Sequence, residues 1–369
     1  MIDDKILKNE EKAVFALRSL YKRYGYLPFK MSKFEEYDLY LRNKDFLVSD
    51  RVITFNDVTG KLLALKPDVT LSIIKNTIDA VGVKQKVYYN ENVYRVLSGT
   101  GRFGEIMQAG LECIGDLDLS DVFEVCYLAA ESLRAVSESF VLDVSHMGVL
   151  SAVLDEVSLD PDFRRRAITL IGEKNKHELT SLCDSTGNPD AASLLTALVD
   201  TYGAPDTVIE RLSAVLPARV VEADVFSELS ALVGLLSKTP VFDRVRLDFS
   251  VVNDMSYYNG ILLRGFLQGI SEGVLSGGEY GSLMKRVGRS SRAVGFALYL
   301  DLLSSIDKPT DACDVDVLLI YDETVATDEV VAKKAELVAS GLSVQAQRAI
   351  PENVRYGRVV ILSGENKND

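Results

Sequence analysis

Histidine is scarce in this chain, with only His146 and His177 among 369 residues. A Ser–His or Cys–His pair needs an imidazole amid convergent partners. His146 closes a strand-like run and His177 lies in a lysine-rich helical stretch, so both read as structural or exposed. The four cysteines, Cys113, Cys126, Cys183 and Cys313, lack C-x-x-C spacing, which argues against a zinc site or a disulfide framework. No G-x-x-x-x-G-K-[ST] loop exists, and no apolar run reaches the length of a membrane span. The first eight residues are too charged for a signal peptide, so a cytoplasmic chain with no membrane partner is expected. Cations are also in deficit: 41 Lys and Arg stand against 54 Asp and Glu, a formal net charge of −13. Such a body is repelled by polyphosphate backbones unless a local basic patch intervenes, so no nucleic-acid partner is expected.

The length suggests two or three domains. Hydrophobic residues make up 47% of the chain, enough for a substantial interior, with disorder expected only at the final ENKND. The strongest local signal runs from Val87 to Gly115 and reads as two antiparallel strands joined by a glycine-rich loop. In the second arm Gln108, Gly110 and Glu112 share one side of a two-residue repeat, and Met107, Ala109, Leu111 and Cys113 share the other. One face is greasy, while the other presents an amide and a carboxylate. Arg95, at the end of the first arm, adds a cation. Together they suit a small zwitterion such as a free amino acid. The loop holds a literal G-x-G-x-x-G at Gly99, Gly101 and Gly104. A dinucleotide reading needs a helix next, and a period-two run follows instead, so the glycines are assigned to a hairpin loop.

Elsewhere, residues 2–24 predict an amphipathic helix ended by Gly25, and Leu27-Pro28-Phe29 an extended segment. FEEYDLYLRNKDF reads as a short helix or an irregular connection. RVITFND and KLLALKPDVT read as paired strands, and TLSIIKNTIDAVG as a helix. Asp68 and Thr70 sit at that strand-to-helix junction; they form either a receptor for an ammonium group or a helix N-cap. LSDVFEVCYLAAESLRAV predicts a helix and SFVLDVSH a strand. Residues 147–238 have helical spacing throughout, with Pro and Gly breaks, and read as a separate insertion. Strand signals return with VRLDFSVV, ILLRGFLQG and GVLSGG, and AVGFALYLDLLSSI is expected to be an apolar helix backing the sheet. From about Asp314 the order strand, helix, strand, strand predicts a small α/β unit.

Two further runs stand out. SGGEYGSLMKR is glycine-rich, but Glu279 at its centre would repel a phosphate, so it reads as a tight turn between strand and helix. In NDMSYYNG, Tyr257 and Tyr258 are read as strand neighbours on opposite faces, one packing inward and one offering a phenol.

Taken in order, LKPDVT, NVYRV, GRFGEIMQAGLECIG, SYYNG, SGGEYGSL and AVGFALYLDLL resemble the histidyl-tRNA synthetase catalytic fold of class II, over roughly residues 2–306. The resemblance implies an α+β protein with an antiparallel sheet flanked by helices, spanning residues 1–146 and 239–308. The helical insertion would cover 147–238, and residues 312–369 would form a small α/β domain similar to a shortened anticodon-binding domain. It also implies a homodimer interface around Pro28. Arg95 matches the family's motif 2 arginine, but Leu97 stands where a glutamate is expected. Leu302 replaces an ATP-gripping arginine of motif 3, and Asn253 replaces a further catalytic arginine. The loss of these contacts implies loss of adenylate chemistry. The amino-acid receptor is mostly kept: by resemblance Asp68, Thr70 and Gln108 would receive the α-ammonium of histidine. Glu112 and Tyr258, with Tyr257 beside it, would meet the imidazole, Tyr280 would close the site, and Arg95 would take the α-carboxylate. This combination is similar to the regulatory subunits of ATP phosphoribosyltransferase. For that family one expects a non-catalytic chain without cofactor or metal. It would join a short-form catalytic subunit in a hetero-octamer, activate it, and transmit feedback inhibition by histidine. A divergent, amino-acid-activating synthetase is the alternative.

Overall fold

A computed structural model describes residues 7–43, 51–80, 82–97, 101–252, 257–305 and 313–363. The chain divides into two compact units, residues 1–306 and 307–369.

The first unit opens with α1 (Asn9–Arg23), which carries Glu10 and Glu11 in its first turn and Lys22 and Arg23 in its last, matching the helix dipole. Gly25, at φ +80°, turns the chain out of it. The short β1 (Leu27–Pro28) follows, then β2 (Phe34–Glu36), α2 (Tyr37–Arg42), β3 (Thr54–Asn56) and β4 (Leu62–Leu65). β2, β4 and β3 form a small antiparallel sheet with the register Phe55 to Leu63. α3 (Thr70–Asn76) leads to the long hairpin β5 (Lys84–Val96) and β6 (Phe103–Gly115), which pairs Val96 with Phe103 at the loop and Lys84 with Gly115 at the open end. α4 (Leu119–Val136) and β7 (Phe140–His146) complete the first half.

Seven helices come next: α5 (Met147–Val157), α6 (Pro161–Gly172), α7 (Lys176–Asp184), α8 (Ala191–Asp200), α9 (Pro205–Val215), α10 (Ala218–Val221) and α11 (Asp224–Leu236). Between α8 and α9 the two-residue β8 (Tyr202–Gly203) joins the edge of the main sheet. Apolar side chains of these helices, such as Leu150, Leu195 and Leu229, share one core with Leu111 of β6 and Leu128 of α4. Then follow β9 (Val245–Asp248), β10 (Ile261–Leu267), β11 (Leu275–Glu279), α12 (Gly281–Arg286) and β12 (Arg292–Tyr299). Nine of the described strands form the main sheet, in the order β1-β5-β6-β12-β11-β10-β7-β9-β8.

Two expectations fail here. AVGFALYLDLLSSI is not a helix: Arg292–Tyr299 is strand β12, followed by a 3-10 turn over Leu300–Ser305. β12 lies between β6 and β11, and Val294, Phe296 and Leu298 point into the main core while Ala293 packs in the second cluster on the other face. A strand buried on both faces shows a continuous apolar run that periodicity cannot separate from a buried helix. Gly277 and Gly278 run within β11, as the strand signal GVLSGG predicts, and the turn between strand and helix falls at Tyr280, before α12 begins at Gly281. Finally, Tyr257 and Tyr258 do not sit in a strand on opposite faces: they lie in a turn before β10, with ring centroids 4.4 Å apart.

The second unit contains β13 (Val315–Tyr321), α13 (Thr327–Ala339), β14 (Val344–Gln347) and β15 (Tyr356–Leu362), as the pattern of strand and helix signals predicts. Its sheet is parallel, in the order β14-β13-β15. Leu319, Val325 and Val330 form its core.

Candidate functional site

The two-residue repeat of β6 does what its sequence implies. Leu111 and Cys113 enter the core beneath α1 and α4, while Gln108 and Glu112, each 2% exposed, face the other side. Pairing extends that polar face across the sheet. Glu112 sits opposite Val87 on β5 and Gly295 on β12, Gly110 opposite Tyr89 and Ala297, and Gln108 opposite Glu91 and Tyr299. Gly295 continues to Gly278 on β11. Small residues keep this floor low so that long side chains can lie on it. A Cβ at Gly295 would overlap the Glu112 carboxylate, and one at Gly110 would stand 2.5 Å from the Tyr89 hydroxyl.

Glu112 is the hub. The Tyr280 hydroxyl, delivered by the β11–α12 junction, donates to its Oε2 at 2.6 Å, and Thr70 Oγ1, at the start of α3, donates to its Oε1 at 3.2 Å. Burial pushes the Glu112 carboxyl up to about 8; the two hydroxyls pull it back, and the charge of Asp68 adds to the rise. Tyr257 packs between Tyr258, at 4.4 Å, and Tyr280, at 6.2 Å. Burial and the neighbouring carboxylates raise the phenols of Tyr257, Tyr258, Tyr280 and Tyr89, so all four remain O–H groups near neutrality.

At the rim, both carboxylate oxygens of Asp68 have partners within the chain. Its Oδ1 accepts from the Leu71 amide in the first turn of α3 at 2.9 Å, and its Oδ2 lies 3.6 Å from the Arg95 guanidinium. Arg95 is held further by a 2.6 Å hydrogen bond from Nε to the Pro67 carbonyl. Below it, Lys66 is fully buried and paired with Glu91 at 2.8 Å, which ties the strand-to-helix junction to β5. Asp68, Thr70, Arg95, Glu112, Tyr257, Tyr258 and Tyr280 therefore converge, with Gln108 at the far end of the same floor. Asn253 lies outside the described residues. Of the other altered positions, Leu97 lies against Gly104 across the hairpin loop, and Leu302 is half-buried against the main core.

Among the described residues, the arrangement supplies acceptors, hydroxyl donors and one guanidinium. It can hold a ligand that brings its own cation or N–H groups. Sequence reading missed Tyr89 and the Lys66–Glu91 pair. The repeat Tyr89, Glu91, Val93, Arg95 was a signal for both, since it places these residues on the face of Gln108 and Glu112 once the hairpin register is set.

The chain matches the histidyl-tRNA synthetase family profile over residues 3–303. An ATP phosphoribosyltransferase regulatory subunit from Oceanobacillus iheyensis is 27% identical over 319 residues, covering 85% of this chain and 78% of that protein. Among solved structures, an ATP phosphoribosyltransferase regulatory subunit/histidyl-tRNA synthetase from Bacillus halodurans superposes with a TM-score of 0.73 at 23% identity, over 98% of this chain and 96% of that one. An ATP phosphoribosyl transferase (HisG:HisZ) complex from Thermotoga maritima contains a chain with a TM-score of 0.62 at 22% identity, covering 79% of this chain and 97% of that one.

Proposed function

This chain belongs to the histidyl-tRNA synthetase family, and from that footing we propose that it serves as the regulatory subunit of an ATP phosphoribosyltransferase and performs no chemistry alone. Curated relatives carry the regulatory-subunit name. The observation that carries the reading is Glu112, buried between the hydroxyls of Thr70 and Tyr280 on a floor that ends at Gln108. In this reading the floor receives free histidine. Asp68, Thr70 and Gln108 take the α-ammonium, Arg95 the α-carboxylate, and Glu112 with Tyr258 the imidazole, with Tyr257 beside them and Tyr280 closing the site. Leu97 and Leu302 stand where the synthetases, by resemblance, carry groups for ATP; two aliphatic side chains offer a polyphosphate nothing.

The partner is a short-form catalytic subunit, activated by this chain within a hetero-octamer and inhibited when histidine binds. Self-association uses the segment around Pro28, where Leu27 is exposed. Inhibition requires histidine to favour one assembly state over another, a coupling of about 1 to 3 kcal/mol. Calorimetry of the purified chain with histidine, alone and with the catalytic subunit, tests the reading. Saturable binding and a matching fall in transferase activity are expected; unchanged activity at saturating histidine would overturn the feedback role. Arg95 is the one retained nucleotide-handling group and favours the synthetase alternative. Histidine-dependent exchange of pyrophosphate into ATP separates the two: no exchange is expected, and a robust rate would reverse the assignment.

A further inference from the structure

Glu279 is 5% exposed and lies outside the receptor itself. It follows Leu275 and Gly277 on the side of β11 turned to the main core, whereas Gly278 faces the receptor. Its Oε1 accepts from Arg292 Nε at 2.8 Å. The same guanidinium donates through Nη2 to Glu228 on α11 at 3.1 Å and through Nη1 to the Leu117 carbonyl at 3.3 Å. One planar fork, with its donors fixed relative to one another, thus joins a buried carboxylate of the sheet to a helix of the 147–238 stretch.

The tyrosine wall of the receptor hangs on Glu279 from two directions. Tyr280 is the next residue; its amide donates to the Ala293 carbonyl at 2.9 Å, and its hydroxyl reaches Glu112 Oε2 at 2.6 Å. From the other direction, the Glu279 carbonyl accepts from the Asn259 amide at 3.2 Å. The Glu279 carboxylate lies so close against Gly260 that a Cβ there would overlap it. Tyr258, one residue before Asn259, packs on Gly278, where a Cβ would come within 3.0 Å of its ring. The Met147 amide, at the start of α5, anchors the same turn by donating to the Gly260 carbonyl at 2.8 Å. Tyr258 and Tyr280 are therefore both set by the position of one buried side chain, and that side chain is held by Arg292.

We propose that Glu279 is a positioning residue of the receptor, holding Tyr258 and Tyr280 in place, and that its ion pair with Arg292 ties this wall to Glu228 on α11. The helical stretch then sets how tightly the receptor closes on its ligand. This rests on the histidine-receptor reading above. The coupling is reciprocal: a ligand that orders the wall strengthens the Arg292–Glu228 contact by the factor by which that contact favours the ligand.

The test is calorimetry with L-histidine on the full chain, comparing wild type, Glu279→Gln and Glu228→Gln at a temperature where melting curves show each to be folded. Glutamine keeps the size of the side chain and removes its charge. Histidine affinity is expected to fall roughly tenfold in Glu279→Gln and about threefold in Glu228→Gln. Glu228 is half-buried, so its variant remains informative if Glu279→Gln does not fold. Unchanged affinity in Glu228→Gln overturns the link to α11. Glu228→Gln combined with Tyr280→Phe should lose less than the product of the separate factors, since both act on one wall; factors that simply multiply overturn that route. Hydrogen exchange adds a readout that a purely structural ion pair leaves alone. Bound histidine is expected to slow amide exchange in α11 of the wild type and much less so in Glu228→Gln; equal slowing, or none, overturns the coupling. If the wild type fails to bind histidine, the receptor reading falls and this inference with it. If the wild type binds and both variants match it, only the role of Glu279 falls.

Discussion

Glu112 and Asp143 are buried carboxyls on the same face of one sheet. Glu112 connects through Gly295, Gly278 and Leu262 to Ser145 on β7, two residues beyond Asp143. Burial raises both, Glu112 to about 8 and Asp143 to about 6. Their company differs. Asp143 has Arg264 opposite on β10 and Arg246 opposite on β9, and the Lys174–Asp248 ion pair contributes both a cation that lowers it and a carboxylate that raises it. Its Oδ1 is nevertheless buried without a hydrogen bond. Glu112 receives two hydroxyl hydrogen bonds, and the nearby guanidinium of Arg95 is directed to Asp68 instead. A carboxyl with resident cations across its strand pairs is built for the fold. One held by neutral donors keeps its shape yet leaves its charge for a visitor to answer.

Binding gives the widest separation between the two. Glu112→Ala is expected to lower histidine affinity at least about a hundredfold, the usual scale for truncating one member of a buried charged hydrogen bond. Asp143→Ala should leave it within about twofold. Calorimetry decides, and comparable losses at both positions would erase the distinction. Stability against pH gives the next effect. Both folded-state values lie above the ordinary ones, so each folded carboxyl keeps a proton that the unfolded chain has released. The wild type therefore loses stability as pH rises, over about 4.5 to 8 for Glu112 and about 4 to 6 for Asp143. Each tenfold difference in proton affinity between the folded and unfolded chain is worth about 1.4 kcal/mol. Melting curves should show Glu112→Gln gaining on the wild type up to about pH 8, and Asp143→Asn gaining less and levelling off near pH 6. The smallest effect is expected of Tyr280→Phe, which removes one neutral donor from Glu112. It should weaken histidine several-fold, about 1 kcal/mol, and move the Glu112 titration further upward; a titration that stays in place would mean the 2.6 Å hydrogen bond contributes little.

The polar floor was legible because β6 buries one face in the core and turns the other to the cleft, so its alternation is written in the residues themselves. The hairpin, the rejection of a dinucleotide loop and the order of elements in the second unit follow from equally local patterns. β12 was illegible for the opposite reason. Flanked by strands and covered on both faces, it has no polar side to set a period, and only its partners β6 and β11 identify it. Tyr89 was missed because a tyrosine next to Tyr88 in a strand run looks like core until the hairpin register places it over Gly110.

The position of β12 also bears on how the chain is made. Gln108 must find Tyr299 across roughly 190 positions of sequence, so during synthesis β6 keeps an open hydrogen-bonding edge while the whole helical stretch is being translated. At ribosomal rates that interval is on the order of ten to thirty seconds. Chains halted before Arg292 would carry two unsealed edges, on β6 and β11, which β12 closes in the intact chain. Such nascent fragments are natural clients for chaperones or seeds for aggregation.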